Sequence, residues 1–175
     1  MKFNNKAQQV KTTEFSESVS FTLGILSDTH GHLPAAIHEC FEGVGAILHA
    51  GDIGDETILD ELRAIAPVMA VRGNMDWGDW ARRLPEAEII TFGEVRIGIV
   101  HDPYRMPPDF TSARCRVIVN GHTHQATILE KNEVLYVNPG SAGQPRASRP
   151  ASAALLHIAG KRAAAEIIPL EPSNR

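Results

Sequence analysis

Residues 21–30 read FTLGILSDTH. The apolar run Phe21 to Leu26 ends at Ser27-Asp28, the pattern of a buried strand that delivers polar side chains at its carboxyl end. The pattern recurs downstream. Ala46 to Ala50 is broken by Gly51-Asp52, and Val68 to Val71 ends at Gly73-Asn74. Helical stretches lie between these runs. Pro34 opens one through Phe41, with proline in a first-turn position. Glu56 to Ile65 places Ile58, Leu59, Leu62 and Ile65 on one face, and Pro67 stops it. Three such units in a row predict a parallel α/β half. Open α/β sheets hold ligands at the carboxyl ends of their strands, which groups Asp28, Asp52 and Asn74.

Past Asn74 the texture changes. Glu88 to Phe92 and Val95 to Val100 flank Gly93-Glu94 as a hairpin, and a Pro-rich loop runs from Asp102 to Asp109. Arg116 to Val119 is a strand ending at Asn120-Gly121. Ala126 to Glu130 pairs with Val134 to Val137 across Lys131-Asn132-Glu133, and Ser152 to Ile158 with Ala163 to Ile168 across Gly160-Lys161. This half reads as strand-rich and largely antiparallel. A four-layer α/β sandwich, two mixed β-sheets flanked by helices, accommodates both halves. The expected organisation is a mobile N-terminal extension at 1–19, one domain at 20–170 and a tail at 171–175.

With 175 residues, the chain suits one domain with a sizeable core. Its 43% hydrophobic and 22% charged content is ordinary for a globular protein. A net charge of −4 without a basic stripe disfavours duplex nucleic acid as a partner. No continuous apolar run approaches a membrane span, and residues 1–18 lack the apolar core of a secretory signal. Cys40 and Cys115 form no CxxC pair, so the expected setting is cytoplasmic.

The donors at the strand ends are Asp28-Thr-His30, Asp52, Asn74, His101 and Gly121-His122-Thr-His124. All are carboxylate, amide oxygen or imidazole, types that suit divalent cations, and the set is large enough for two of them. A hydrolytic metal centre is the leading expectation.

The ordered series DxH, GD, GN, H and GHTH resembles the calcineurin-like metallophosphoesterase superfamily. With SDTHG near the start and NPGS after GHTH, it is similar to the small bacterial and archaeal phosphodiesterase branch, over roughly residues 21–170. The resemblance implies that Asp28, His30 and His124 bind a first metal, that Asp52 bridges, and that Asn74, His101 and His122 bind a second. Asp52, Asn74 and His101 would be the catalytic core of that set. A bridging carboxylate holds two cations roughly 3.5–4 Å apart, and a metal-bridging hydroxide attacks phosphorus in line. Mn²⁺ is the expected cofactor, with Ni²⁺, Fe²⁺ and Zn²⁺ as alternatives.

The chain departs from the family at two positions. Larger members carry His after the motif Asn as a proton donor, and here that residue is Met75, as is general in the small branch. General acid help is worth ~10²–10⁴-fold, so difficult leaving groups should suffer. Asp76 reads either as a substitute proton source or as a partner orienting a ligand His. Asp102 follows His101 where the family has Gly; it either constrains the loop or adds charge that discourages dianionic monoesters. The segment between His101 and His122 is short, which reads as a surface deletion or a reshaped substrate rim.

Outside the ligand set, Ser141 and Arg146 are candidate substrate contacts, Ser141 with a structural turn role beside it. Arg149 reads as a loop charge, Arg72 as structural and His49 as a core or supporting His. His32 is placed near the site entrance; His38 and His157 are read as non-functional. Trp77 and Trp80 read as packing residues, or as a wall for an aryl or nucleobase group.

The expected protein is therefore a metal-dependent phosphodiesterase acting on a small, nucleotide-derived diester. The rival is a non-catalytic scaffold of the same fold, as in the retromer coat. A nuclease on single-stranded ends is a third reading, against which the missing basic groove speaks. Apolar residues around Trp77, Trp80 and Phe92 leave a homodimer open.

Overall fold

The computed structural model describes residues 11–15, 20–143 and 150–170. The strand expected at Phe21–Leu26, here β2, is buried on both faces from Leu23 on: Leu23 and Ile25 point into the space between two sheets, while Gly24 and Leu26 face the other way. β3 (Ala46–His49) and β4 (Val68–Ala70) join it in parallel. The hairpin of β10 (Ser152–Ala159) and β11 (Arg162–Pro169) adds antiparallel on its other side, giving a five-stranded sheet of order β11-β10-β2-β3-β4.

A six-stranded sheet packs against it, with order β1-β5-β6-β7-β9-β8. Its members are β1 (Lys11–Phe15), β5 (Ala87–Phe92), β6 (Val95–Val100), β7 (Val117–Val119), β8 (Thr127–Lys131) and β9 (Val134–Asn138). The expectation of a largely antiparallel second half holds for its three hairpins, β10–β11 among them, and fails at β7. β5–β6 and β8–β9 are antiparallel hairpins, but β6–β7 and β7–β9 are parallel. The chain leaves β6 through a 3₁₀ turn (Pro103–Arg105) and the short helix α4 (Asp109–Ser112), and a crossover of that kind returns the next strand in parallel. Within the stretch read as a mobile extension, Lys11–Phe15 pairs in parallel with β5, whose edge would otherwise expose unpaired backbone groups.

One core fills the space between the sheets, built from Leu23, Ile25, Leu48, Val71, Ile97, Val119 and Leu156 among others. A second lies under α1 (Ala36–Cys40) and α2 (Glu56–Arg63) on the outside of the five-stranded sheet. A third lies under α4 on the outside of the other sheet. The four layers of the expected sandwich are thus present. α2 starts where Asp55 accepts the Thr57 N–H at 2.9 Å, and it buries Ile58, Leu59 and Leu62. It ends before Ile65 because that N–H turns to Leu62 in a tighter, three-residue bond.

Each sheet seats a phenyl ring over a glycine. A Cβ on Gly24 would lie 2.8 Å from the ring of Phe41, and one on Gly98 2.6 Å from the ring of Phe110. Both rings are fully buried. Among the described residues no helix is long and apolar enough to cross a membrane.

Candidate metal centre

The two sheets present their strand ends to one another along a single edge. β2, β3 and β4 deliver Asp28-Thr29-His30, Asp52 and Asn74; β6 and β7 deliver His101 and the His122–His124 loop. Backbone bonds continue the ladder past the strands and lock the loops together. Asp28 N–H donates to Gly51 at 3.0 Å, His30 N–H to Asp52 at 3.0 Å, and Gly121 N–H to His101 at 3.0 Å.

Five of the seven predicted ligand residues sit in the left-handed region: Asp28 (φ 56°), His30 (48°), Asp52 (54°), His122 (66°) and His124 (55°). That conformation is disfavoured for L side chains and persists where surrounding contacts fix it, characteristically at functional sites. It turns each side chain off the strand direction and toward a common point.

All seven predicted donors come together. His124 Nε2 lies 3.2 Å and His30 Nε2 3.9 Å from Asp28 Oδ1. Asn74 Oδ1 lies 3.0 Å from both His101 Nε2 and His122 Nδ1. Asp52 stands between the trios, with Oδ2 3.4 Å from His101 Nε2. Asp28, His30 and His124 form one group able to hold a cation; Asp28, Asp52 and His101 form a second, sharing Asp28.

The electrostatics fit a cation. Asp28 is fully buried, and its Oδ1 accepts no hydrogen bond among the described residues. Burial pushes its carboxyl up to about 6, against the pull of the Ser27 hydroxyl and the His101 charge. Asp52 behaves oppositely. Burial would raise it, but bonds from His101 and the Met75 N–H, the latter at 2.7 Å, hold it below the usual carboxylate range. His101 has Nδ1 2.8 Å from the Ala50 carbonyl and Nε2 facing Asn74 and Asp52. Burial opposes its charge, yet the Asp52 bond and the two carboxylates raise its pKa. The Nδ1–H bond to Ala50 leaves Nε2 as the atom directed into the site, where a metal would replace the proton.

A pH dependence follows from the directions of these shifts. A cation must displace a proton from Asp28 as pH falls through about 6, and one from His101, whose imidazole holds its proton above its ordinary range. Its affinity should drop about 10- to 100-fold per pH unit below that value, one decade per proton displaced. Calorimetric Mn²⁺ titrations in buffers of different ionisation enthalpy should show net proton release. Affinity unchanged between pH 5 and 7 would refute the assignment.

Residues behind the donors hold them. His49, read from sequence as a core or supporting His, is fully buried. Its Nδ1 accepts the Gly51 N–H at 3.2 Å, which leaves the Nε2–H to Thr29 Oγ1 at 2.9 Å; the Thr29 hydroxyl donates in turn to Ile53 at 2.9 Å. Burial, with the nearby His101 charge, pushes its pKa down to about 3, so it stays neutral and ties two ligand loops. Asp76 neither orients a ligand His nor stands free as an acid: its two oxygens accept the N–H groups of Gly54 (2.9 Å) and Gly73 (2.8 Å). Ser141 is buried with its hydroxyl donated to the Asp28 carbonyl at 3.0 Å, so it braces the first ligand loop instead of facing substrate. Arg146 and Arg149 lie outside the described residues. Sequence reasoning missed Asn138 as an anchor: its Nδ2 reaches Gly121 O at 2.8 Å and Asn120 Oδ1 at 3.0 Å, fixing the His122–His124 loop. Its place just before the Pro-Gly-Ser turn was the available signal.

A cleft of ≈ 570 Å³ opens beside Asn74, His101 and His122. Asp102 lines it, its Oδ1 accepting the Tyr104 N–H at 2.9 Å, so this carboxylate both caps the 3₁₀ turn and faces the cleft. Arg72, on the same wall, is paired with Glu86. Trp80 packs partly buried in the second core, while Trp77 is 75% exposed at the cleft.

Fold and site together define an α/β protein built to gather cation ligands at the facing edges of two sheets. The chain belongs to the calcineurin-like phosphoesterase superfamily, whose domain model matches residues 21–161. It is 35% identical over 158 residues to a "probable metallophosphoesterase" of Methanothermobacter thermautotrophicus, covering 83% of this chain and 91% of that one. A phosphodiesterase of Methanocaldococcus jannaschii is 31% identical over 137 residues, covering 67% of this chain and 82% of its own. Among solved structures, Vacuolar Protein Sorting 29 of Cryptosporidium parvum superposes with a TM-score of 0.74 at 22% identity, over 87% and 92% of the two chains. A novel archaeal phosphodiesterase superposes at 0.66 with 25% identity, over 84% and 99%.

Proposed function

We propose that this chain is a dinuclear metal-dependent phosphodiesterase. The observation that carries the reading is the convergence of seven carboxylate, amide and imidazole donors in two adjoining sets. Asp28, His30 and His124 would hold one cation, Asn74, His101 and His122 the other, with Asp52 between them. Two divalent cations, when bound, supply an activated water and neutralise charge on a phosphoryl group. Mn²⁺ is the metal we favour, among several that such N/O donors accept, and the cytoplasm the expected setting.

The chain's own residues set the preference for diesters. Met75 follows the ligand Asn74 and cannot donate a proton; its backbone N–H is spent on Asp52. Leaving groups that need protonation are therefore poorly served. Asp102 also lines the cleft, but Arg105 faces its carboxylate at 3.6 Å, so it adds little net charge against a dianionic monoester and the preference rests on Met75.

Metal-stripped protein titrated with Mn²⁺ should hydrolyse bis-p-nitrophenyl phosphate with kcat/KM at least about tenfold above that for p-nitrophenyl phosphate. A monoester preference would reject the diester reading. A scaffold reading is favoured by the likeness to Vacuolar Protein Sorting 29 and by Ile128 and Leu129, exposed on the edge strand β8. No hydrolysis of either ester by protein loaded with two metals would bring that reading forward.

A further inference from the structure

We infer that the cleft beside Asn74 and His101 is a subsite for a planar aromatic substituent of the diester, a nucleobase or aryl group, with Trp77 as its stacking face. This inference rests on the phosphodiesterase reading and specifies the substrate class. The volume of ≈ 570 Å³ is in the range that accommodates a ligand of nucleotide size, roughly 300–1,000 Å³. The cleft abuts the second ligand trio directly, since Asn74, His101 and His122 form part of its wall. A phosphoryl group over the donors would therefore project one ester substituent into it.

The lining selects what that substituent is. Each arginine there faces a carboxylate: Arg72 is paired with Glu86, Arg82 with Asp79 at 2.8 Å, and Arg105 with Asp102 at 3.6 Å. The charges balance, so the wall is suited to a flat, neutral group rather than a further phosphate. Trp77 supplies the apolar surface. It is 75% exposed and lines the cleft, whereas Trp80, six residues after the ligand Asn74, packs against the core, so Trp77 is the aromatic face open to a ligand beside the donors. Gly78 (φ 94°) follows it, turning the chain into α3 (Asp79–Arg82) and leaving Trp77 on the rim.

The test compares two diesters with one leaving group: the p-nitrophenyl esters of thymidine 5′-phosphate and of methyl phosphate. Trp77→Ala should lower the ratio of kcat/KM between them about tenfold, within the range that base stacking on an aromatic side chain supplies; Trp77→Phe should keep most of it. An unchanged ratio overturns the subsite. A second readout needs no turnover. AMP should quench the fluorescence of wild-type protein saturably, ribose 5-phosphate should not, and the quench should vanish in Trp77→Phe. Absence of that quench also overturns the proposal. Failure of the phosphodiesterase reading looks different: neither ester is hydrolysed by metal-loaded protein, while the AMP quench tests the subsite by itself.

Discussion

Asp52→Asn should lose at least about 10³-fold in turnover of every phosphate ester while keeping its fold. The substitution keeps the shape of the side chain, and asparagine is among the residues that tolerate the left-handed φ of 54° found there. An amide oxygen can still accept the Met75 N–H. What goes is the negative charge between the two donor sets, the charge that His101 faces at 3.4 Å. Metal stabilisation of a phosphoryl transition state is worth several kcal/mol, and each 1.4 kcal/mol is a factor of ten. Asn74→Ala should match the loss, because its Oδ1 is the common neighbour of His101 and His122. Circular dichroism and thermal melting check the fold; metal content by mass spectrometry checks the cause. Near-normal turnover in both variants would refute the site.

Gly73→Ala should cost about 10²-fold in turnover although the residue carries no chemistry. A Cβ there would lie 2.1 Å from the Asp52 nitrogen and 2.2 Å from its Oδ1. Both are in a fixed part of the site, so Asp52 has to move, and displacement by about 1 Å is enough for a loss of that order. The same shift strains the Gly73 N–H bond to Asp76. Gly43→Ala is the control. Its φ of 77° strains an alanine, but nothing lies within 4 Å of the added carbon and no donor is near. It should cost about 1 kcal/mol of stability and leave turnover in place. Equal activity losses in the two variants would show that loop packing does not position Asp52.

Much of this was legible in the sequence because burial and chemistry were written at the same places. Apolar runs such as Phe21–Leu26 have one interpretation at their length, and the polar residues that end them are the donors. The parallel pairing of β7 was not legible, because Arg116–Val119 carries no mark of which neighbour it meets; the crossover through α4 decides that. Helices of four residues, Asp79–Arg82 and Asp109–Ser112, are too short to show a period. Sequence alone reads Asp76 as a substitute proton source or a partner orienting a ligand His, and Ser141 as a substrate contact with a turn role beside it, whereas both side chains are spent on backbone groups of the ligand loops. Such service is set by tertiary packing, and no local pattern announces it.

The two glycine sockets constrain how this sequence can drift. Gly24 cannot gain even a methyl group while Phe41 fills the space above it, and Gly98 stands in the same relation to Phe110. Emptying either ring site would cost about 3–5 kcal/mol, a large share of a typical domain's stability. A lineage that replaces one of these glycines has to shrink the facing ring in the same step or close to it. Each pair is thus expected to vary jointly among descendants of this chain, and a residue exchange at one member alone should be rare.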